Sequence, residues 1–143
     1  MEKSSALGLV LSVIEDLSYK ERNEVVAAIH RLNSTNFKFE REKEAERKCY
    51  EYSNIIQKVS GVWPISKSRD TLVVFCKRVL AKMLKDDGFT YYTIGKVMGI
   101  DHSTVVHHCK QALIAEEYPN MFPEYTSVKK AVFEELKTTT DAL

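Results

Sequence analysis

Apolar residues in this chain recur every three or four positions, and nowhere do they alternate with period two for long. That period gathers apolar side chains into one stripe only on an α-helix. Turn-forming residues are scarce as well: five glycines and three prolines in 143 residues, too few for the many turns of an all-β protein. The expected fold class is all-α. With 44% apolar and 29% charged residues, a chain of this length can build a real core and keep a water-facing surface.

Leu7, Val10, Leu11, Ile14 and Leu17 lie at helical spacing. Ser18-Tyr19-Lys20-Glu21 then reads as a capping box. It opens a second helix to about Leu32, with Val25, Val26, Ile29 and Leu32 on one face. The polar run 33–36 is expected to break that helix, so residues 1–35 read as an N-terminal helical hairpin. Residues 36–52 mix both charge signs at i,i+3 and i,i+4 spacings, which predicts a solvent-facing connecting helix. Residues 53–137 form the main domain, and 138–143 a tail. Within that domain Ile55, Ile56 and Val59 mark a short helix ended at Gly61, and Trp63 reads as core. A polar basic loop, Ser66-Lys67-Ser68-Arg69, follows. A helix over 71–85 turns Leu72, Cys76, Val79, Leu80 and Met83 inward, and a last helix runs from about Ser127 to Leu136.

The net charge of +1 hides a sorted distribution. Residues 1–53 hold nine Lys/Arg against ten Asp/Glu (−1), residues 54–111 nine against four (+5), and residues 112–143 three against six (−3). A basic zone inside a neutral chain is a candidate anion-binding face. Three cysteines, odd in number and widely spaced, do not read as a disulfide framework and fit a reducing cytoplasm. Ala6 to Ile14 is too short an apolar run to span a bilayer, and Glu15-Asp16 stands where a signal peptide needs small residues. No G-x-x-x-x-G-K-[ST] loop is present, and no paired carboxylates or Ser/His/Asp order stand out. His107 and His108 are neighbours that point about 100° apart on a helix, and Cys109 belongs to the core, so these residues do not read as a zinc site. The expectation is a cytoplasmic protein that is not an enzyme, with no cofactor, metal, membrane or small-molecule substrate.

Function is concentrated between Phe89 and Leu113. Thr90 caps a helix to Met98, Gly99-Ile100 turns, and Asp101 caps a helix to about Ala115. Ile94, Met98 and Ile100 face inward from the first part; Val105, Cys109 and Leu113 face inward from the second. Gly95 leaves room for a close crossing. This is the pattern of a helix-turn-helix, in which apolar positions hold the second helix at an angle that projects its first turn into the major groove.

At Gly99-Ile100-Asp101-His102-Ser103-Thr104-Val105 the sequence resembles the signature of the C-terminal DNA-binding domain of the bacterial replication initiator DnaA. The resemblance continues upstream through Asn54-Ile55-Ile56-Gln57-Lys58-Val59, the basic loop and Val73-Val74-Phe75-Cys76-Lys77-Arg78. It covers roughly 53–137. It implies an all-helical DNA-binding domain in which Asp101, His102 and Thr104 meet base edges. Asp accepts from the cytosine amino group and the Thr methyl meets thymine. Ser103 and His107 complete the expected base-reading set. Lys77 and Arg78 fall where the family has a basic or polar pair near the phosphates, and Lys67 and Arg69 lie in the loop that reaches the backbone and minor groove. The turn is one residue shorter than the family's, with Ile100 where a second glycine and a basic residue usually stand. The family's minor-groove arginine aligns with Phe75 or Arg69, according to the placing of one gap.

Lys67, Arg69, Lys77, Arg78, Lys82, Lys96 and Lys110 are the expected phosphate contacts. The stripe Arg78, Lys82 and Lys85 also reads as a solvated face. The expected partner is double-stranded DNA, bound with some sequence preference in replication initiation or transcription control, without ATPase activity. The alternative is a helical protein-interaction module that keeps the fold and does not bind DNA. The first helix, apolar nearly all round, must be buried on several sides. It can pack on the DNA-binding domain or on a second copy, and a homodimer through residues 5–32 is the expectation.

Overall fold

The computed structural model describes residues 16–141, with the side chains of 33–37, 140 and 141 outside the description. The first helix of the expected hairpin therefore lies outside the described residues. The described residues form helices and no strand: α1 (Tyr19–Ser60), α2 (Thr71–Asp86), α3 (Tyr91–Met98), α4 (His102–Glu117), a 3-10 turn (Pro119–Met121) and α5 (Pro123–Asp141). The chain divides into two compact units between Glu40 and Arg41.

In the first unit Ser18 starts α1. Its Oγ accepts from the Glu21 N–H at 3.3 Å, and its hydroxyl donates to Glu21 Oε1 at 2.8 Å. The expected capping residues are thus in use, with the Glu21 carboxylate taking the hydroxyl rather than reaching back to the backbone. The expected break at 33–36 does not occur, and α1 continues through it to Ser60. Asn, Ser and Thr are weak helix formers but tolerable inside one, and no Pro or Gly stands there to end it. Val26, Ile29, Leu32 and Phe39 are exposed among the described residues of this unit.

In the second unit, Ala45, Cys49, Tyr52 and Ile56 of α1 are buried. They recur at i, i+4, i+7 and i+11 and make one core-facing stripe. The segment read as a solvent-facing connector is therefore a core helix whose apolar stripe is narrow and partly made of small residues. Gly61, at φ +76°, ends it, and its N–H bonds the Gln57 carbonyl at 2.8 Å. Trp63 is half-buried and packs edge-on against Tyr50, ring centroids 6.2 Å apart.

The central element is α2, which packs against α3, α4 and α5. Its inward residues are Val73, Cys76, Val79, Leu80, Ala81, Met83 and Leu84. Leu72, expected inward, is exposed, and Val73 takes its place. Likewise Leu113 is 57% exposed and Ala112 is buried. On a 3.6-residue helix, i+7 from Val105 returns to within about 20° of it whereas i+8 lies about 80° away. Cys49, Cys76 and Cys109 are free thiols in the core, and burial pushes all three up from their ordinary pKa. The last helix starts earlier than expected because Pro123 fits the first turn, where its missing N–H costs nothing. It runs to Asp141, through the start of the segment read as a tail. Its Tyr125 is buried and donates to Glu116 Oε1 at 3.0 Å. No helix among the described residues is long and apolar enough to cross a membrane.

The link between α3 and α4 is closely packed. Gly99 adopts the left-handed conformation (φ +71°), and its N–H and that of Ile100 both turn back to the Gly95 carbonyl. A Cβ on Gly95 would lie 2.7 Å from the Ile100 carbonyl oxygen and 3.3 Å from the His102 nitrogen. Both neighbours are backbone and cannot swing aside. Gly95→Ala should therefore destabilise the protein by about 1–3 kcal/mol, read as a lowered urea midpoint. An unchanged midpoint would show that the turn yields without cost.

Candidate nucleic-acid interface

Thr90 starts α3, its Oγ1 accepting from the Thr93 N–H at 3.2 Å. Asp101 starts α4, its Oδ2 accepting from the Ser103 N–H at 2.9 Å and from the Ser103 hydroxyl. These hydrogen bonds to Ser103 hold the Asp101 carboxyl below the usual carboxylate range, and His102 adds to the effect. Asp101 Oδ1 lies 3.6 Å from His102 Nδ1. Asp101 is thus the helix cap, with one carboxylate oxygen committed to Ser103.

Beyond the cap, the face of α4 divides cleanly. Val105, His108, Cys109, Ala112 and Ala115 are buried. Ser103, Thr104, His107 and Lys110 are exposed. The His102 ring stacks on Tyr92 of α3, centroids 4.1 Å apart and planes 24° from parallel. Tyr92 itself is 70% exposed, so this pair forms a flat, open platform at the start of α4.

The seven candidate phosphate contacts fall into two groups. Lys77 of α2 donates to the Ser68 carbonyl at 3.2 Å, which draws the loop carrying Lys67 and Arg69 onto α2. Arg78 lies 5.6 Å from the centre of the Phe75 ring, and burial pulls it below its ordinary pKa. Arg78 and Lys77 of α2 and His107 of α4 lie near enough to His108 to bear on its protonation. Lys67, Arg69, Lys77, Arg78 and Lys110 have no carboxylate partner among the described residues.

The other group is held by carboxylates. Lys96 pairs with Glu42 of α1 at 2.9 Å. Lys82 pairs with Asp86 and lies 3.9 Å from Glu116, which also takes Lys129 at 2.9 Å. Burial opposes the charge on Lys82, but Asp86 and Glu116 outweigh it and raise its pKa. Lys85 donates to the Phe89 carbonyl at 3.4 Å and sits 4.2 Å over the Tyr91 ring. The stripe Arg78, Lys82 and Lys85 is therefore neither a solvated face nor one continuous clamp.

His108 carried no role in the sequence reading. Its place was nonetheless legible, since it lies three residues after Val105 on the inward stripe. Burial chiefly, then the charges of Arg78, His107 and Lys77, pull it down from its ordinary 6.5 to about 4. Among the described residues no three His, Cys, Asp or Glu side chains converge in a way that could hold a metal ion. Compared with known protein families, with curated proteins and with solved structures, the chain matches none.

A buried neutral histidine makes stability depend on pH. The unfolded chain takes up this proton near 6.5 and the folded one only near 4, so the stabilising contribution is full above 6.5 and is lost as pH falls toward 4. Between pH 7 and pH 5 His108 should account for about 2 kcal/mol of lost unfolding free energy. Urea titrations at the two pH values should show a smaller loss in His108→Gln. Equal losses would mean that His108 is not buried in its neutral form.

Proposed function

We propose that the protein binds double-stranded DNA with the exposed face of α4 in the major groove, in the manner of a helix-turn-helix. The observation that carries this reading is the union of two features on one surface. One is the short polar row Ser103, Thr104 and His107 on the first turns of α4. The other is the flanking set of cations without carboxylate partners. Helices enter the major groove with their N-terminal residues against base edges, and flexible cations beside them fix register on phosphate. The close Gly95 turn supports the reading, as does the resemblance of residues 53–137 to the DnaA C-terminal domain.

The roles follow from the partners of each residue. Thr104, Ser103 and His107 read bases, with His102 held ready on the Tyr92 ring. Asp101 caps α4, and its Oδ1, which lies 3.6 Å from His102 Nδ1, is the acceptor it can offer a cytosine amino group. Lys67, Arg69, Lys77, Arg78 and Lys110 meet phosphates. Lys82 and Lys96 are engaged by carboxylates of the protein itself. The process served is replication initiation or transcription control, without ATP hydrolysis. A second copy, paired through residues 5–32, is the proposed protein partner; Tyr19, Val26, Ile29 and Leu32 are exposed large apolar residues in the described part of that segment. Full-length protein at micromolar concentration should then scatter light as twice the chain mass, and a monomer mass would remove the dimer.

A gel shift on random duplex at low salt separates DNA binding from a helical interaction module that leaves DNA alone. With about five phosphate contacts, log K should fall against log salt with a slope of about −4 to −5. Lys77→Ala should flatten that slope by about one unit on every duplex, whereas Lys82→Ala should leave it unchanged. On a preferred site selected from a random pool, Thr104→Ala and His102→Ala should each cost about 1–3 kcal/mol and little on random DNA. Equal losses on both substrates would show that these side chains do not read bases.

A further inference from the structure

The junction of α2 and α4 holds an arrangement that a folded core normally avoids. His108 is only 9% exposed, and its Nδ1 has no hydrogen-bond partner. The buried Nε of Arg78 has none either. Unpartnered buried polar atoms are uncommon, and each one left so costs stability. The groups that bear on His108 are Lys77 and Arg78 from α2 and His107 from α4. No carboxylate is among them. The His107 ring, 6.1 Å from that of His108, is exposed, so the cluster borders solvent. Its other border is the loop Lys67-Ser68-Arg69, tied to Lys77 through the Ser68 carbonyl.

We propose that Arg78 and His108 form a proton-coupled phosphate site, in which a backbone phosphate of bound DNA docks at this junction and His108 takes up one proton from solvent as it docks. The inference rests on the DNA-binding reading above and assigns to His108 a role that reading does not contain. Without an anion, burial and then the neighbouring charges keep the imidazole neutral. A phosphate beside the cluster reverses the local field, and opposite charge nearby favours the charged form of a titrating group. The imidazolium carries two N–H donors where the neutral ring has one. Charge-assisted bonds from it and from the guanidinium to phosphate oxygens are the strong kind. The only bond made is N–H on His108, and the proton comes from the buffer.

The test is an NMR titration of the His108 imidazole in the full chain, alone and saturated with a 20-base-pair duplex, its resonance assigned by loss in His108→Gln. Free protein should show His108 titrating near 4, and the complex should show it at least two pH units higher, so that the proton is taken up within the pH range of the affinity measurement. In parallel, duplex affinity should rise as pH falls from 7.5 to 5.5. His108→Gln should lose up to tenfold of that rise per pH unit, the most that one linked proton can give. The NMR arm keeps the test valid even if the variant folds poorly. Duplex binding with an unmoved His108 resonance overturns the phosphate site and leaves the DNA reading standing. No duplex binding at any pH overturns both.

Discussion

The fold around the candidate site depends on one steric fact: the backbone of Ile100 and His102 passes so close to Gly95 that no Cβ fits between them. Gly99, in the left-handed conformation, lets the chain reverse there, and the Gly95 carbonyl receives the turn's amides. With the turn fixed, Ile94 and Met98 of α3 and Val105 and Cys109 of α4 meet in one core. The angle of α4 is then set, and Ser103, Thr104 and His107 lie on its exposed face. The burial of His108 is a consequence of the same geometry, since the turn that exposes His107 directs its neighbour inward.

Electrostatics sort the cations after the fold has placed them. An exposed ion pair contributes little stability, yet it decides which ammonium groups remain available. Glu42 takes Lys96, and Asp86 and Glu116 take Lys82. Glu42 and Glu116 come from the two flanks and Asp86 from the basic zone itself. Of the cations in the basic zone, Lys82 and Lys96 are paired with carboxylates, and Lys67, Arg69, Lys77, Arg78 and Lys110 are not, among the described residues.

Local chemistry made several elements legible. Thr90 and Asp101 cap their helices through short-range hydrogen bonds, and Gly99 turns because an αL residue is needed there, so windows of a few residues suffice to find them. Other features were hidden for physical reasons. The core stripe Ala45, Cys49, Tyr52 and Ile56 is flanked by charges on both sides and contains small side chains, so it does not stand out as an apolar face. The run 33–36 looks like a breaker by composition, but without Gly or Pro it can be carried inside a long helix. The Lys96–Glu42 pair spans 54 positions, and no local pattern predicts which of many carboxylates a given lysine will meet. The buried state of His108 follows from its register; its unpartnered nitrogen does not.

The most direct measurement is a map of backbone amide shifts in isotope-labelled full-length protein titrated with duplex DNA at low salt. If α4 enters the groove as proposed, the largest changes should cluster at 67–69, 77–78 and 102–110, and α5 should stay quiet. Changes centred on α5 or on the first half of α1, with 102–110 unmoved, would contradict a DNA-reading role for α4.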